Sequence, residues 1–195
     1  MKILCGCEFS QIVTKEFRKK GHEAYSCDII DCTGGHPEWH IKGDILEQLD
    51  KDWDLIIAFP PCTHLCVSGN RWHSETQARI DAAQFVWKIW NCKCKKVAIE
   101  NPVGVINSLL PNIPKPYYIQ PWQFGHKETK KTGLWTRGLP KLQPTNVVGP
   151  PPKNMTPEEK RTWNRIHYMS PGKDRGHLRS ITYEGIAKAF ASQWG

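Results

Sequence analysis

The chain contains no apolar run approaching the roughly 18 residues that cross a bilayer. Its opening MKILCGCEF has neither a long apolar stretch nor a small-residue cleavage site. Membrane insertion and secretion are therefore not expected, and the expected setting is cytoplasmic. Paired C-x-x-C spacing is also missing. Cys5 and Cys7, like Cys92 and Cys94, are separated by one residue, and Cys62 and Cys66 stand four apart. No zinc knuckle is spelled out, and no bound metal is expected, although a Cys/His site assembled through space stays open. In a 195-residue chain with no leader, eight cysteines read as reduced thiols rather than a disulfide framework. There is no phosphate-cradling G-x-x-x-x-G-K-[ST] and no dinucleotide G-x-G-x-x-G, so ATP hydrolysis and hydride transfer fall behind other chemistries. No repeat or linker divides the chain, and a single compact domain over residues 1–195 is expected. Acids are the scarcer charge, 19 against 27 Lys and Arg, leaving a net +8. That excess attracts phosphate-bearing partners without telling a polynucleotide from a nucleotide. No membrane and no obligate protein partner is expected.

What is present reads as alternating strands and helices. Residues 2–7 form a short apolar run, and residues 10–20 place Ile12, Val13 and Phe17 on one helical side before Gly21 closes it. Residues 23–29 read as a second strand ending in acid. Residues 54–59 are consecutively apolar, as in a strand buried on both faces. Ser74, with Gln77 at the return position, predicts a helix over 75–91 packing through Ala78, Ala82, Phe85, Val86 and Ile89. Residues 97–99, 117–119 and 133–136 follow as short strands. The prolines of 139–152 predict a loop. Thr156-Pro157-Glu158-Glu159 starts a helix over 157–166, and Thr182 is placed to cap a last helix through Ser192. The expected fold is a three-layer α/β domain with a mainly parallel sheet, its ligands beyond the carboxyl ends of the strands. Residues 120–180 are expected to supply substrate-binding loops and a short helix rather than a separate domain.

Two strand ends carry chemistry. DLIIAFPPC at 54–62 stops at two prolines and presents Cys62, and VAIENP at 97–102 delivers Glu100 beside a rigid turn. A thiolate can add to C6 of a pyrimidine, making C5 nucleophilic toward an electrophilic methyl group. An acid at N3 steadies the altered ring, and loss of the C5 proton then releases the thiol. Either residue alone reads as well as packing or as a cap, and the pair favours catalysis.

These motifs, Phe59 to Cys62 and Glu100 to Pro102, resemble those of the DNA cytosine-C5 methyltransferase family. The likeness extends over much of residues 1–107 and returns in the C-terminal helix. It implies a Rossmann-like methyltransferase fold, Cys62 as nucleophile and Glu100 as the acid that contacts the base. It also implies S-adenosylmethionine as methyl donor, bound along Cys5, Gly6, Cys7, Phe9, Asp28, Asp44 and Pro60. Ser68 and Asn101 fall on the substrate side, and DNA, duplex or single-stranded, is the implied substrate. Two features depart from the family. Its glycine-rich cofactor pattern is reduced to Cys5-Gly6-Cys7-Glu8-Phe9, and its arginine-rich segment is replaced by QFGHKETKKTGL at 123–134. His126, Lys127, Lys130, Lys131 and Arg137 are candidates to take over phosphate or base-loop contacts there, with Trp72, Trp122 or Trp135 available to hold the backbone or fill vacated space. No large recognition domain is evident. A free pyrimidine nucleotide as substrate, or an inactive basic nucleic-acid-binding domain, are the competing expectations.

Overall fold

The computed structural model describes residues 1–67, 76–172 and 175–195. Seven strands form one sheet: β1 Lys2–Gly6, β2 Glu23–Asp28, β3 His40–Lys42, β4 Leu55–Ala58, β5 Val97–Pro102, β6 Tyr117–Ile119 and β7 Thr132–Arg137. Their order is β3-β2-β1-β4-β5-β7-β6. All neighbouring pairs from β3 to β5 are parallel, and β7 runs antiparallel to both β5 and β6. The helices are α1 Ile12–Lys19, α2 Gln77–Trp90, α3 Ile106–Leu109, α4 Pro157–Trp163, α5 Arg165–Tyr168, α6 Arg175–Ser180 and α7 Glu184–Trp194.

The sequence pattern explains the layers. The central strands β1, β4 and β5 are apolar at successive positions because both faces of the sheet are covered. Ile3, Cys5, Leu55, Ile57 and Ala98 pack with Val13 and Phe17 of α1 and with Ile186, Ala187, Phe190 and Trp194 of α7. Their neighbours Leu4, Ile56, Ala58, Val97 and Ile99 pack with Ala83, Val86, Ile89 and Trp90 of α2. Each large side chain removed from water contributes about 1.5–3 kcal/mol. Gly21, at φ +82°, ends α1 in the left-handed conformation that suits glycine, and its N–H donates to Arg18 O at 2.9 Å. This is the expected three-layer Rossmann-like α/β fold of methyltransferase type. The strand order turns back between β1 and β4, and in open α/β sheets ligands bind beyond the carboxyl ends of the strands at such a point.

Several local expectations change. α2 begins at Gln77 after Thr76, and Ser74 lies outside the described residues. Its buried stripe is Arg79, Ala83, Val86, Ile89 and Trp90, rotated from the expected one. The Thr156 capping box forms: its hydroxyl accepts from Glu159 N at 3.2 Å, and the Glu159 carboxylate accepts from Thr156 N at 2.7 Å. The helix it starts breaks at Asn164, so 157–166 is two short helices rather than one. α7 is preceded by Tyr183, not Thr182, and continues to Trp194. Among the described residues no helix is long and apolar enough to cross a membrane.

Candidate active site

Cys62 and Glu100 leave adjacent parallel strands at the same end. After β4, Phe59-Pro60-Pro61 carries the chain to Cys62, whose carbonyl accepts from Leu65 N at 3.0 Å and Cys66 N at 2.9 Å. This turn is held from three sides. Val67 N donates to Val103 O at 3.1 Å and Val105 N to Leu65 O at 2.8 Å, which zips it against the segment after β5. Arg79 of α2, 6% exposed, donates through Nε to His64 O at 2.9 Å. Asn101 donates through Nδ2 to Pro60 O at 2.8 Å; the residue is 1% exposed, and its Oδ1 has no hydrogen-bond partner among the described residues. Arg79 carries no signal in the sequence that marks it for this duty.

Strand alternation turns Glu100 to the same face as Ala98, toward α7. There a small cavity is lined by Glu100, Lys130, Thr132, Thr182, Tyr183 and Ile186. Burial raises the Glu100 pKa above the ordinary carboxylate value, while Lys130 and the Thr132 hydroxyl pull it back. Burial also raises the Cys62 thiol, the negative charges of Cys66 and Glu100 push it further, and Lys130 opposes them. Cys62, Glu100 and Lys130 therefore share one electrostatic neighbourhood. Lys130 is anchored there by its Nζ, which donates to Arg179 O at 3.1 Å.

That grouping is testable without any catalytic assay. Glu100→Gln removes a negative neighbour and is expected to speed alkylation of Cys62 at pH 8.5, and Lys130→Met to slow it, each by roughly three- to ten-fold. Peptide mapping by mass spectrometry separates Cys62 from the other seven thiols. Unchanged rates in both variants contradict the arrangement.

The β1–β2 side is more mixed. Cys5 is fully buried, and its side chain packs in the core. Gly6 is covered by Ile45, whose Cδ1 lies 1.8 Å from where a Cβ would stand. Cys7 takes a left-handed φ of 57°, and burial followed by the charges of Asp28, Cys27 and Asp44 raises its thiol. Asp28 ends β2; burial raises its carboxyl, and hydrogen bonds from the Ile30 and Ile29 N–H groups, then His40 and His177, draw it down. Ile29, beside it, is 72% exposed. Phe9 stacks on His177 of α6 with ring centroids 3.9 Å apart. Asp44 caps the short helical turn Ile45–Gln48 by accepting from Leu46 N at 2.9 Å.

Glu8 is the polar residue that sequence reading missed here. It is 4% exposed, and its carboxylate accepts from Val13 N (2.6 Å), Thr14 N (3.2 Å) and the Thr14 hydroxyl (2.6 Å). These are first-turn donors of α1, so Glu8 satisfies the helix from inside the fold. Burial nevertheless raises its pKa from 4.5 to about 7. The folded state then holds its proton more tightly than the unfolded chain does. Stability from this group is complete below pH 4.5 and is lost as pH rises through 7, on the order of 3 kcal/mol at most. Urea unfolding at pH 4.5 to 8 is expected to show that slope in the wild type and not in Glu8→Gln. Parallel pH profiles refute it.

The remaining expectations separate cleanly. Ser68 and Trp72 lie outside the described residues. Lys131 is exposed, its Nζ over the Tyr118 ring at 4.5 Å, away from the Glu100 cavity. Arg137 is a correction. It pairs with Val97, at the opposite end of the sheet, and donates to Trp90 O (2.6 Å), Cys92 O (2.9 Å) and Cys94 O (2.6 Å). Its guanidinium ties down the end of α2. Trp135 is 5% exposed and packs in the core, while Trp122 is half-buried. Residues 126–129 organise the C-terminal third: His126 Nε2 accepts from Gly185 N (3.0 Å), Glu128 accepts from Arg165 and Tyr183, and Thr129 N donates to Trp163 O (2.7 Å). No disulfide joins the eight cysteines. Among the described residues no group of three or more His, Cys, Asp or Glu could hold a metal ion.

No family model matches the chain, and no curated protein matches it. Among solved structures, an E. coli prophage-encoded protein assigned as a DNA modification methyltransferase is similar at 12% identity and a TM-score of 0.49. The similarity covers 74% of this chain and 51% of that one, so the chain spans about half the length of that protein. The fold assignment stands on the strand order and the packing of this chain itself.

Proposed function

We propose that the chain transfers a methyl group from S-adenosylmethionine to C5 of cytosine in DNA, with Cys62 as the covalent nucleophile. The observation that carries this reading is that Cys62 and Glu100 lie at the same end of the adjacent parallel strands β4 and β5, with Lys130 lining the cavity beside Glu100. Cys62 Sγ adds to C6 of the ring. Glu100, whose pKa burial raises, is placed to share a proton with N3 as charge develops there. Lys130 favours the thiolate. After C5 has received the methyl group, loss of its proton expels Cys62 and restores the aromatic ring. Asn101 acts as a positioning residue through Pro60.

The carboxyl ends of β1 and β2 suit the nucleoside end of the donor. The Asp28 carboxylate accepts a 3.3 Å bond from Ile30 N and is placed to accept from ribose hydroxyls, with exposed Ile29 alongside. The fit at the other end is narrower, because Glu8 occupies the Val13 and Thr14 amides of α1 that would otherwise hold a carboxylate. When bound, S-adenosylmethionine supplies the electrophilic methyl group that the chain itself lacks.

The test is transfer of labelled methyl to single-stranded DNA, duplex DNA and dCMP, with base analysis of the product. 5-Methylcytosine in DNA is the expected result. Label in dCMP alone moves the substrate to free nucleotide, and DNA binding without label leaves a nucleic-acid-binding domain.

A further inference from the structure

The net charge of the chain is not spread over it. Residues 120–180 hold twelve Lys and Arg against four Asp and Glu, while the rest of the chain holds fifteen of each. The whole +8 therefore belongs to the segment that supplies Lys130 to the candidate active site. Within it lies a concavity of ≈ 580 Å³ lined by Lys127, Arg161 and Arg165, with His126, Glu128 and Thr162.

Only part of that positive charge is answered internally. Glu128 accepts from Arg165 Nε at 3.0 Å and from the Tyr183 hydroxyl at 2.8 Å. His126 uses Nε2 on Gly185, and burial lowers its pKa, so it adds no cation at neutral pH. Among the described residues Lys127 and Arg161 enter no ion pair, and both are exposed. Thus two uncommitted cations and a third partly satisfied one face a single hollow. The hollow also adjoins the reacting groups: Glu128 lines it, Tyr183 is bonded to Glu128, and Tyr183 lines the cavity beside Glu100. Lysine and arginine converging on a concave surface suit phosphate oxygens, and a strand presents several of these in a row.

We propose that this concavity holds backbone phosphates of the DNA strand whose cytosine reaches Cys62 and Glu100. The proposal rests on the methyltransferase reading for the base but not for the binding. Of the candidate phosphate contacts it keeps Lys127, adds Arg161 and sets aside Lys131 and Arg137. The short basic segment thereby does the holding that a large recognition domain would otherwise do, through phosphates rather than base edges.

The experiment is fluorescence anisotropy with labelled 20-nucleotide DNA, single-stranded and duplex, across a salt series. The variants are K127E/R161E and, for the same change in net charge outside the segment, K20E/K95E. All these side chains are exposed, and thermal melts check that each variant folds. K127E/R161E is expected to weaken binding at least about ten-fold and to flatten the slope of log affinity against log salt by about 2, with K20E/K95E near wild type. Equal loss in both variants, no loss in the first, or no DNA binding by the wild type overturns the surface. Methyl transfer measured alongside keeps the two readings apart. Localised binding without transfer leaves the surface standing and removes the chemistry, whereas transfer to DNA undiminished in K127E/R161E does the reverse.

Discussion

Cys62→Ser is expected to abolish methyl transfer, by about 10⁴-fold or more, while the protein keeps its fold and its affinity for DNA. The change swaps one atom in a half-buried side chain, and the turn around it is held by the Cys62 carbonyl, not the thiol. A serine hydroxyl is a far weaker nucleophile toward C6 at any pH where the protein is folded, and neither Lys130 nor any other group at the site can compensate for that. Covalency can be read directly. In DNA carrying 5-fluorocytosine, the ring has no C5 proton to lose after methylation, so the enzyme–DNA adduct stalls and survives denaturing electrophoresis. Wild type should give that adduct on the peptide containing Cys62, and Cys62→Ser should give none. Undiminished turnover in the serine variant, or an adduct on a different cysteine, rejects Cys62 as nucleophile.

The same two residues show which parts of this molecule its sequence discloses. β1, β4 and β5 are legible because strands covered on both faces carry runs of consecutive apolar residues, and the prolines after β4 mark where the chain leaves the sheet. Cys62 and Glu100 follow from those strand ends. β3 is not legible: His40–Lys42 is three half-polar residues at the sheet edge, with no pattern to separate them from a loop. α6, RGHLRS, buries none of its residues and has no apolar period to reveal it. The basic cluster poses a different difficulty. Lys130, Lys131 and Arg137 look equivalent in sequence, but β7 runs antiparallel to β5. Arg137 consequently lies beside Val97 at the far end of the sheet, while Lys130, just before β7 begins, meets Glu100. Orientation decides their roles, and residue type does not carry it. Buried polar residues such as Glu8 and Arg79 escape for a related reason. Most of the partners named for them are backbone groups, and no side-chain pattern records these.

Gly104→Ala is expected to cost about 2 kcal/mol or more of stability and to reduce methyl transfer about 100-fold, although Gly104 touches no reacting atom. Gly104 pairs with Cys66 in an isolated antiparallel bridge. A Cβ built there would stand 2.0 Å from Leu65 O and 2.9 Å from Leu65 C, both backbone atoms that cannot rotate aside. The two segments must therefore move apart. The bonds at risk are Val105 N to Leu65 O and Val67 N to Val103 O, which hold the turn beginning at Cys62 against the segment that follows Glu100. Overpacking of this kind costs about 1–3 kcal/mol, and displacing a reacting group by about 1 Å can cost about 100-fold in rate. For a chain of this length the stability loss corresponds to a fall in Tm of about 4–8 °C. Gly172→Ala, at a position with nothing within 4 Å of the added Cβ, is the matched control and should leave both quantities unchanged. A simple loss of stability predicts that Gly104→Ala regains full activity well below its Tm. Displacement of Cys62 predicts that the rate deficit persists there, together with an altered alkylation rate at Cys62. Full activity at low temperature with an unaltered Cys62 alkylation rate shows that the glycine does not position the nucleophile.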